Sequence, residues 1–133
     1  VIYLDSAALI KLIRVEEESA ALIAWLNERA SEPLVASALV EVEVPRALRR
    51  AQPGVLGSVA GVIARLHRVE INAAVRATAG AYQDPLLRSL DAVHLATADL
   101  LIASGQEISA FVTYDKRLAV IAASAGLNVA APA

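Results

Sequence analysis

A three-layer α/β/α domain with a central parallel sheet is the fold this chain predicts. Short apolar runs of strand length alternate with stretches whose apolar residues recur at helical spacing, from one end to the other. Pro, Gly and polar clusters punctuate the alternation. No internal repeat, low-complexity tract or linker interrupts it, so residues 1–133 read as one domain. In a sheet of this kind, ligands bind in the crevice beyond the carboxyl ends of the strands.

Residues 1–4 are an apolar run that stops at Asp5, which predicts a buried strand. Residues 6–14 carry Ala8, Leu9, Leu12 and Ile13 at helical spacing. A second helix is expected over 16–29, with Ala20, Leu22, Ile23 and Leu26 turned inward and Trp25 packed beside them. Its opening Glu16-Glu17-Glu18 run reads as solvated, and Ser31-Glu32-Pro33 ends it. Residues 34–36 make the next strand. Ser37 stands where an N-cap belongs, ahead of Leu39, Val40, Val44 and Leu48. Pro45 removes an amide donor from that helix and predicts a kink. Gln52-Pro53-Gly54 is a turn, 56–66 a helix and 69–71 a strand. Asn72 caps a helix that runs to about Tyr82 and is closed by Asp84-Pro85. Residues 89–103 are the most apolar helix, stopped by Gly105. A strand over 110–113, a helix over 115–125, a stop at Gly126 and a strand over 127–130 complete the chain.

Composition narrows the function. The chain is 57% hydrophobic, which predicts apolar surface covered by a partner or by a second copy. Yet no run approaches the ~20 residues of a bilayer span. The opening run meets Asp5 at once, unlike the apolar core of a signal peptide. Cysteine is absent, which excludes disulfides and thiolate metal sites and fits a reducing cytoplasm. The net charge is −2, whereas nucleic-acid binders usually carry a basic balance. For an anionic substrate to approach, basic residues must cluster or the site must recruit cations.

The acids fall where a site would be. Asp5 ends the first strand and Asp115 follows the 110–113 strand, so both lie at the carboxyl edge of the sheet. Glu43 sits early in the helix after the second strand. Asp91 enters the most apolar helix among Leu90, Ala92, Val93 and Leu95, where an unpaired charge is costly. Carboxylates sharing one crevice repel one another and stay ionised together when a cation lies between them. All-oxygen ligands suit Mg²⁺ or Mn²⁺, which can activate water and stabilise an in-line phosphoryl displacement.

Four segments resemble the motifs of PIN-domain toxins of the VapC type. The first is Val1-Ile2-Tyr3-Leu4-Asp5-Ser6-Ala7-Ala8-Leu9-Ile10-Lys11-Leu12. The second is Ser37-Ala38-Leu39-Val40-Glu41-Val42-Glu43-Val44, continued by Arg46-Ala47-Leu48-Arg49-Arg50. The third is Leu90-Asp91-Ala92-Val93-His94-Leu95-Ala96-Thr97-Ala98, and the fourth Phe111-Val112-Thr113-Tyr114-Asp115-Lys116-Arg117-Leu118. Each motif is moderately specific; four in order, spanning nearly the whole chain, are strong. The resemblance implies a PIN-like fold and an endoribonuclease that uses Mg²⁺ or Mn²⁺ and leaves a 5′-phosphate. It also implies a cognate VapB-type antitoxin and a homodimer. Asp5, Glu43, Asp91 and Asp115 fall on the family's acidic, metal-holding positions, with Ser6 and Thr113 beside them. Glu41 and Glu43 point about 200° apart on a helix, and the spacing from Ser37 that the resemblance implies favours Glu43.

Other residues read more plainly. Arg46, Arg49 and Arg50 are either a solvated helix end favoured by the dipole or contacts for RNA phosphate or an acidic antitoxin segment. Lys11, Lys116 and Arg117 flank the expected crevice. His94 lies one turn from Asp91 and reads as a hydrogen-bonded core histidine rather than a general base. Asp99 and His67 read as surface residues. The rival functions are a binding or regulatory module that keeps the fold without catalysis, and a haloacid-dehalogenase-like phosphotransferase. The latter needs a second Asp two residues after the first, whereas Asp5 is followed by Ser6-Ala7.

Overall fold

The computed structural model describes residues 1–133. Its strands are β1 (Ile2–Leu4), β2 (Leu34–Ser37), β3 (His67–Val69), β4 (Ala110–Val112) and β5 (Val129–Ala130). Its helices are α1 (Ser6–Ile13), α2 (Ser19–Asn27), α3 (Val40–Ala51), α4 (Val59–Ile63), α5 (Ala73–Ala81), α6 (Ser89–Ala103) and α7 (Lys116–Ser124). All strands pair in parallel, in the order β3-β2-β1-β4-β5.

Strand alternation sends side chains to two cores. Ile2 and Leu4 of β1, Ala36 of β2 and Val112 of β4 join one core with Leu9, Leu22, Val40, Val44 and Leu48. Tyr3, Val35 and Phe111, from the same three strands, join the other with Leu95, Ala98, Leu118 and Ala122. The sheet is therefore covered by α1 to α4 on one face and by α6 and α7 on the other, with α5 packed on α6. This is the three-layer parallel arrangement the alternation predicts.

The strand order reverses direction around β1. The chain moves from β1 to β2 and β3 on one side, then returns to place β4 on the other. A crevice opens at such a switch point, beyond the carboxyl ends of β1 and β4. The register sets Leu4 opposite Val112, and the Asp5 amide donates to the Val112 carbonyl at 3.2 Å. That pairing brings the ends of the first and fourth motifs side by side.

Several boundaries differ from expectation, each for a local reason. The helix expected over 56–66 is a 3-10 turn at Pro53–Ser58 followed by the short α4. Gly54, Gly57 and Gly61 lower helical propensity through that stretch. The third strand is His67–Val69 rather than 69–71, an edge strand whose exposed His67 and Arg68 carry no apolar signal. α2 begins at Ser19, not residue 16, because Glu16 and Glu18 turn toward Lys11. Ser37 closes β2 and its Oγ accepts the Leu39 amide at 3.1 Å, so it organises the turn before α3 and is not the cap itself. The helix runs on through Pro45 to Ala51. Gly126 adopts φ +92°, the left-handed stop expected before the last strand.

Candidate active site

Asp5 leaves β1 and caps α1, its Oδ1 accepting the Ala8 amide at 2.9 Å. The residue is buried, and burial raises its pKa against the lowering effect of hydrogen bonds from Thr113 and Ala8. Thr113, fully buried at the end of β4, also accepts the Asp115 amide at 3.2 Å. Asp115 caps α7 through Oδ1, which accepts the Leu118 amide at 2.9 Å. Two adjacent strands are thus each followed by an aspartate that caps the next helix.

Glu43, in the first turn of α3, reaches the same crevice. Ser6 Oγ donates to its Oε1 at 2.6 Å, and His94 Nε2 lies 2.9 Å from that same oxygen. Burial opposes its ionisation, but the hydrogen bonds from His94 and Ser6 prevail and hold its pKa below the usual value. Glu41, two residues away, is exposed and pairs with Arg68 at 3.3 Å on another face. His94, 2% exposed, is held from behind by the Tyr3 hydroxyl, 2.7 Å from Nδ1. Tyr3 is itself fixed by stacking on Phe111 at 4.9 Å.

Asp91, in the first turn of α6, is the contrasting acid. It makes no hydrogen bond or ion pair within the protein. Burial raises its pKa, and the charges of Asp115, Asp5 and Glu43 raise it further against the help of His94. The first turn of α6 is a favourable place for an anion, yet burial and like charge together outweigh that benefit.

Asp5, Ser6, Glu43, Asp91, His94 and Asp115 line one open cavity of about 420 Å³, together with Ala7, Ile10, Val42, Arg46, Ala47, Arg50 and Leu90, whereas the buried Thr113 and Tyr3 lie behind the lining. All four predicted acids are thus in that lining. Their donor set, carboxylate oxygen throughout, has the chemistry of a hard divalent cation site. As they stand, no three acidic or histidine side chains converge closely enough to hold a metal ion. Mg²⁺ does not require that, since it keeps several waters and is commonly held by one or two carboxylates with substrate phosphate.

The predicted basic residues divide. Arg46 and Arg50 line the cavity, one turn apart on α3, whereas Arg49 is exposed and lies outside it. Lys116 and Arg117 are exposed at the start of α7, also outside the lining. Lys11 corrects the expectation most clearly. Its ammonium is tied to Glu16 at 2.9 Å and Glu18 at 2.8 Å and sits 4.7 Å over the Tyr114 ring. That pairing also accounts for two acids of the run expected to be merely solvated. Asp99 is a second correction: half-buried on α6, it accepts a hydrogen bond from Tyr82. Trp25 packs against the first core under Arg29, whose guanidinium lies 4.1 Å over its ring. Tyr3 escaped sequence reasoning as a site residue. Its signal was a phenol inside an otherwise aliphatic buried strand, which requires a hydrogen-bond partner.

The molecule is thus an all-parallel α/β domain with its acids gathered beyond β1 and β4. The model of the PIN domain matches residues 2–124. The chain is 51% identical to Ribonuclease VapC35 of Mycobacterium tuberculosis strain H37Rv, over 98% of this chain and 96% of the relative. It is 39% identical to Ribonuclease VapC46 of the same strain, over 98% and 97%. The crystal structure of Mycobacterium tuberculosis VapC20, a Sarcin-Ricin loop cleaving toxin, shares the fold with a TM-score of 0.74 at 16% identity. That match covers 99% of this chain and 100% of the other. VapBC2 from Rickettsia felis, solved bound to a DNA fragment from its promoter, gives 0.66 at 14% identity over 100% of both chains. This chain belongs to the PIN-domain family, in its VapC-type branch.

Proposed function

We propose that this chain is the endoribonuclease toxin of a type II toxin–antitoxin pair, hydrolysing RNA phosphodiester bonds with Mg²⁺ or Mn²⁺ at the acidic crevice. The observation that carries the reading is the gathering of Asp5, Glu43, Asp91 and Asp115 around one cavity edged by Arg46 and Arg50. Relatives called ribonucleases, aligned over almost the whole chain, support the activity. The solved VapBC2 assembly supports a VapB-type antitoxin as partner. No helix is long and apolar enough to cross a membrane. A homodimer belongs to the same proposal and is read out by light scattering.

Asp5, Glu43, Asp91 and Asp115 would hold the ion, which when bound would polarise the phosphate and lower the pKa of the attacking water. The chain's own residues supply position and charge. Asp5 and Asp115 are held by the helix starts they cap, so their carboxylates cannot swing out of the crevice without losing a cap. Asp91, which lines the crevice with no hydrogen bond to the protein, is the carboxylate left to face the ion and the attacking water. Arg46 and Arg50 draw the anionic backbone to a crevice that would otherwise repel it. Ser6 holds Glu43 with a short hydrogen bond, and Thr113 steadies Asp5.

The test is Asp5→Asn. Asn retains a capping oxygen, so the fold should hold while cleavage of labelled total RNA drops on the order of 100-fold or more, beyond the loss typical of outer-shell changes. Wild-type products should carry 5′-phosphates. Full cleavage by the folded variant contradicts the proposal.

A further inference from the structure

The crevice contains a second layer of order that the four acids do not explain. Glu43 receives both of its hydrogen bonds on one oxygen. Ser6 Oγ donates to Oε1 at 2.6 Å, and His94 Nε2 lies 2.9 Å from the same atom. Oε2 has no partner in the protein. Because the Ser6 hydrogen goes to Glu43, the Ser6 oxygen is left to accept, and His94 Nε2 lies 3.3 Å from it. Both neighbours of Nε2 are therefore acceptors, which requires a hydrogen on Nε2. The other ring nitrogen, Nδ1, faces the Tyr3 hydroxyl at 2.7 Å. In the neutral ring Nδ1 must then be the acceptor and Tyr3 the donor.

We propose that Tyr3 and His94 are positioning residues: the Tyr3 hydroxyl, hydrogen-bonded to Nδ1, holds the His94 ring with its Nε2–H on Oε1 of Glu43, and with Ser6 that N–H occupies Oε1 and leaves Oε2 alone to face the crevice. Glu43 then offers one oxygen to a cation or its water, in a fixed direction, and cannot chelate through both. The geometry suits that task. His94 and Tyr3 are almost fully buried, Tyr3 is clamped on Phe111, and the ring planes of Tyr3 and His94 meet at 80°. Residues from β1, α1, α3 and α6 are thereby linked, so the first three motifs are held in one hydrogen-bonded unit. A histidine of this kind supports a carboxylate as outer-shell partners support metal ligands elsewhere. The inference rests on the proposed metal-dependent reading of the crevice.

The first measurement needs neither a variant nor a metal. The chain has two histidines, and His67 is exposed on β3, so imidazole ¹⁵N spectra separate them readily. Where its ring is neutral His94 should show the Nε2–H tautomer, and Tyr3→Phe, which keeps the stacked ring, should shift the Nδ1 resonance because its hydrogen bond is lost. A Nδ1–H tautomer in the wild type, or no change in Tyr3→Phe, overturns the relay. The second measurement is Mn²⁺ calorimetry on metal-stripped protein. His94→Leu should bind about 10–100-fold more weakly. His94→Gln, which restores an N–H toward Glu43, should recover most of that loss, and Tyr3→Phe should show a smaller one. Unchanged affinity in a folded His94→Leu overturns the positioning role. Absence of Mn²⁺ binding in the wild type overturns the metal-dependent reading instead, and the tautomer spectra still judge the relay.

Discussion

The two sides of the crevice treat a carboxylate in opposite ways. On the α3 side, Glu43 is supplied with two donors on one oxygen and its pKa is lowered. On the α6 side, Asp91 has no donor and faces Asp115, and its pKa is raised. On the α3 side the protein itself satisfies one of the two carboxylate oxygens, and on the α6 side it satisfies neither. A part-buried carboxylate left beside like charge with no donor is a cost that folding alone does not require, and it marks a place where a cation or a proton has work to do.

The largest effects should come from exchanging each acid for its amide. Asp91→Asn and Glu43→Gln should both cut RNA cleavage by on the order of 100-fold or more, since each removes a negative oxygen from the crevice. Their stabilities should part. In metal-free buffer Asp91→Asn should melt slightly higher than wild type, because it relieves repulsion, and Glu43→Gln lower, because two donors lose a charged acceptor. Thermal melts in EDTA check this, and parallel shifts in the two variants would erase the contrast.

Acid titration of stability sharpens it. Glu43 has its folded pKa below the ordinary 4.5, so its contribution is present above that value and is lost as pH falls through the folded value. Asp91 has a folded pKa above the ordinary 3.8, so the folded state holds the proton more tightly, and stability falls as pH rises from 3.8 through the folded value. Asp5, also raised, acts in the same sense as Asp91. Urea melts across the acidic range should therefore show Asp91→Asn losing less stability than wild type as pH rises through that window. Glu43→Gln should lose less as pH falls.

The smallest effect belongs to the rim. Arg46→Ala and Arg50→Ala should weaken RNA binding evenly across sequences and flatten the log–log salt dependence by about 0.7 per arginine. Arg49→Ala, outside the cavity, should leave the slope near that of wild type.

The contrast between the two sides also shows what a sequence can reveal. The acids were legible because each sits at a strand end or helix start, positions that a parallel sheet gathers by topology. α6 was legible to the residue, Ser89–Ala103, since apolar residues recur along its whole length and a glycine stops it. The Tyr3–His94–Glu43 chain was not, because its members lie 91 and 51 positions apart and join only through side-chain packing. Lys11 was misplaced for a similar reason: proximity to Asp5 in sequence suggested the crevice, while Glu16 and Glu18 captured its charge. β3 was placed two residues late, at 69–71 instead of His67–Val69, because an edge strand that opens on two exposed polar residues carries neither a continuous apolar run nor a clean alternation.

The most direct test of a cation-dependent crevice is cleavage of total RNA by wild-type protein stripped with EDTA and then titrated with Mn²⁺. Cutting should vanish on stripping and return with added Mn²⁺, and Asp91→Asn should not recover over the same range. Cutting that persists unchanged in EDTA would contradict a metal-dependent site.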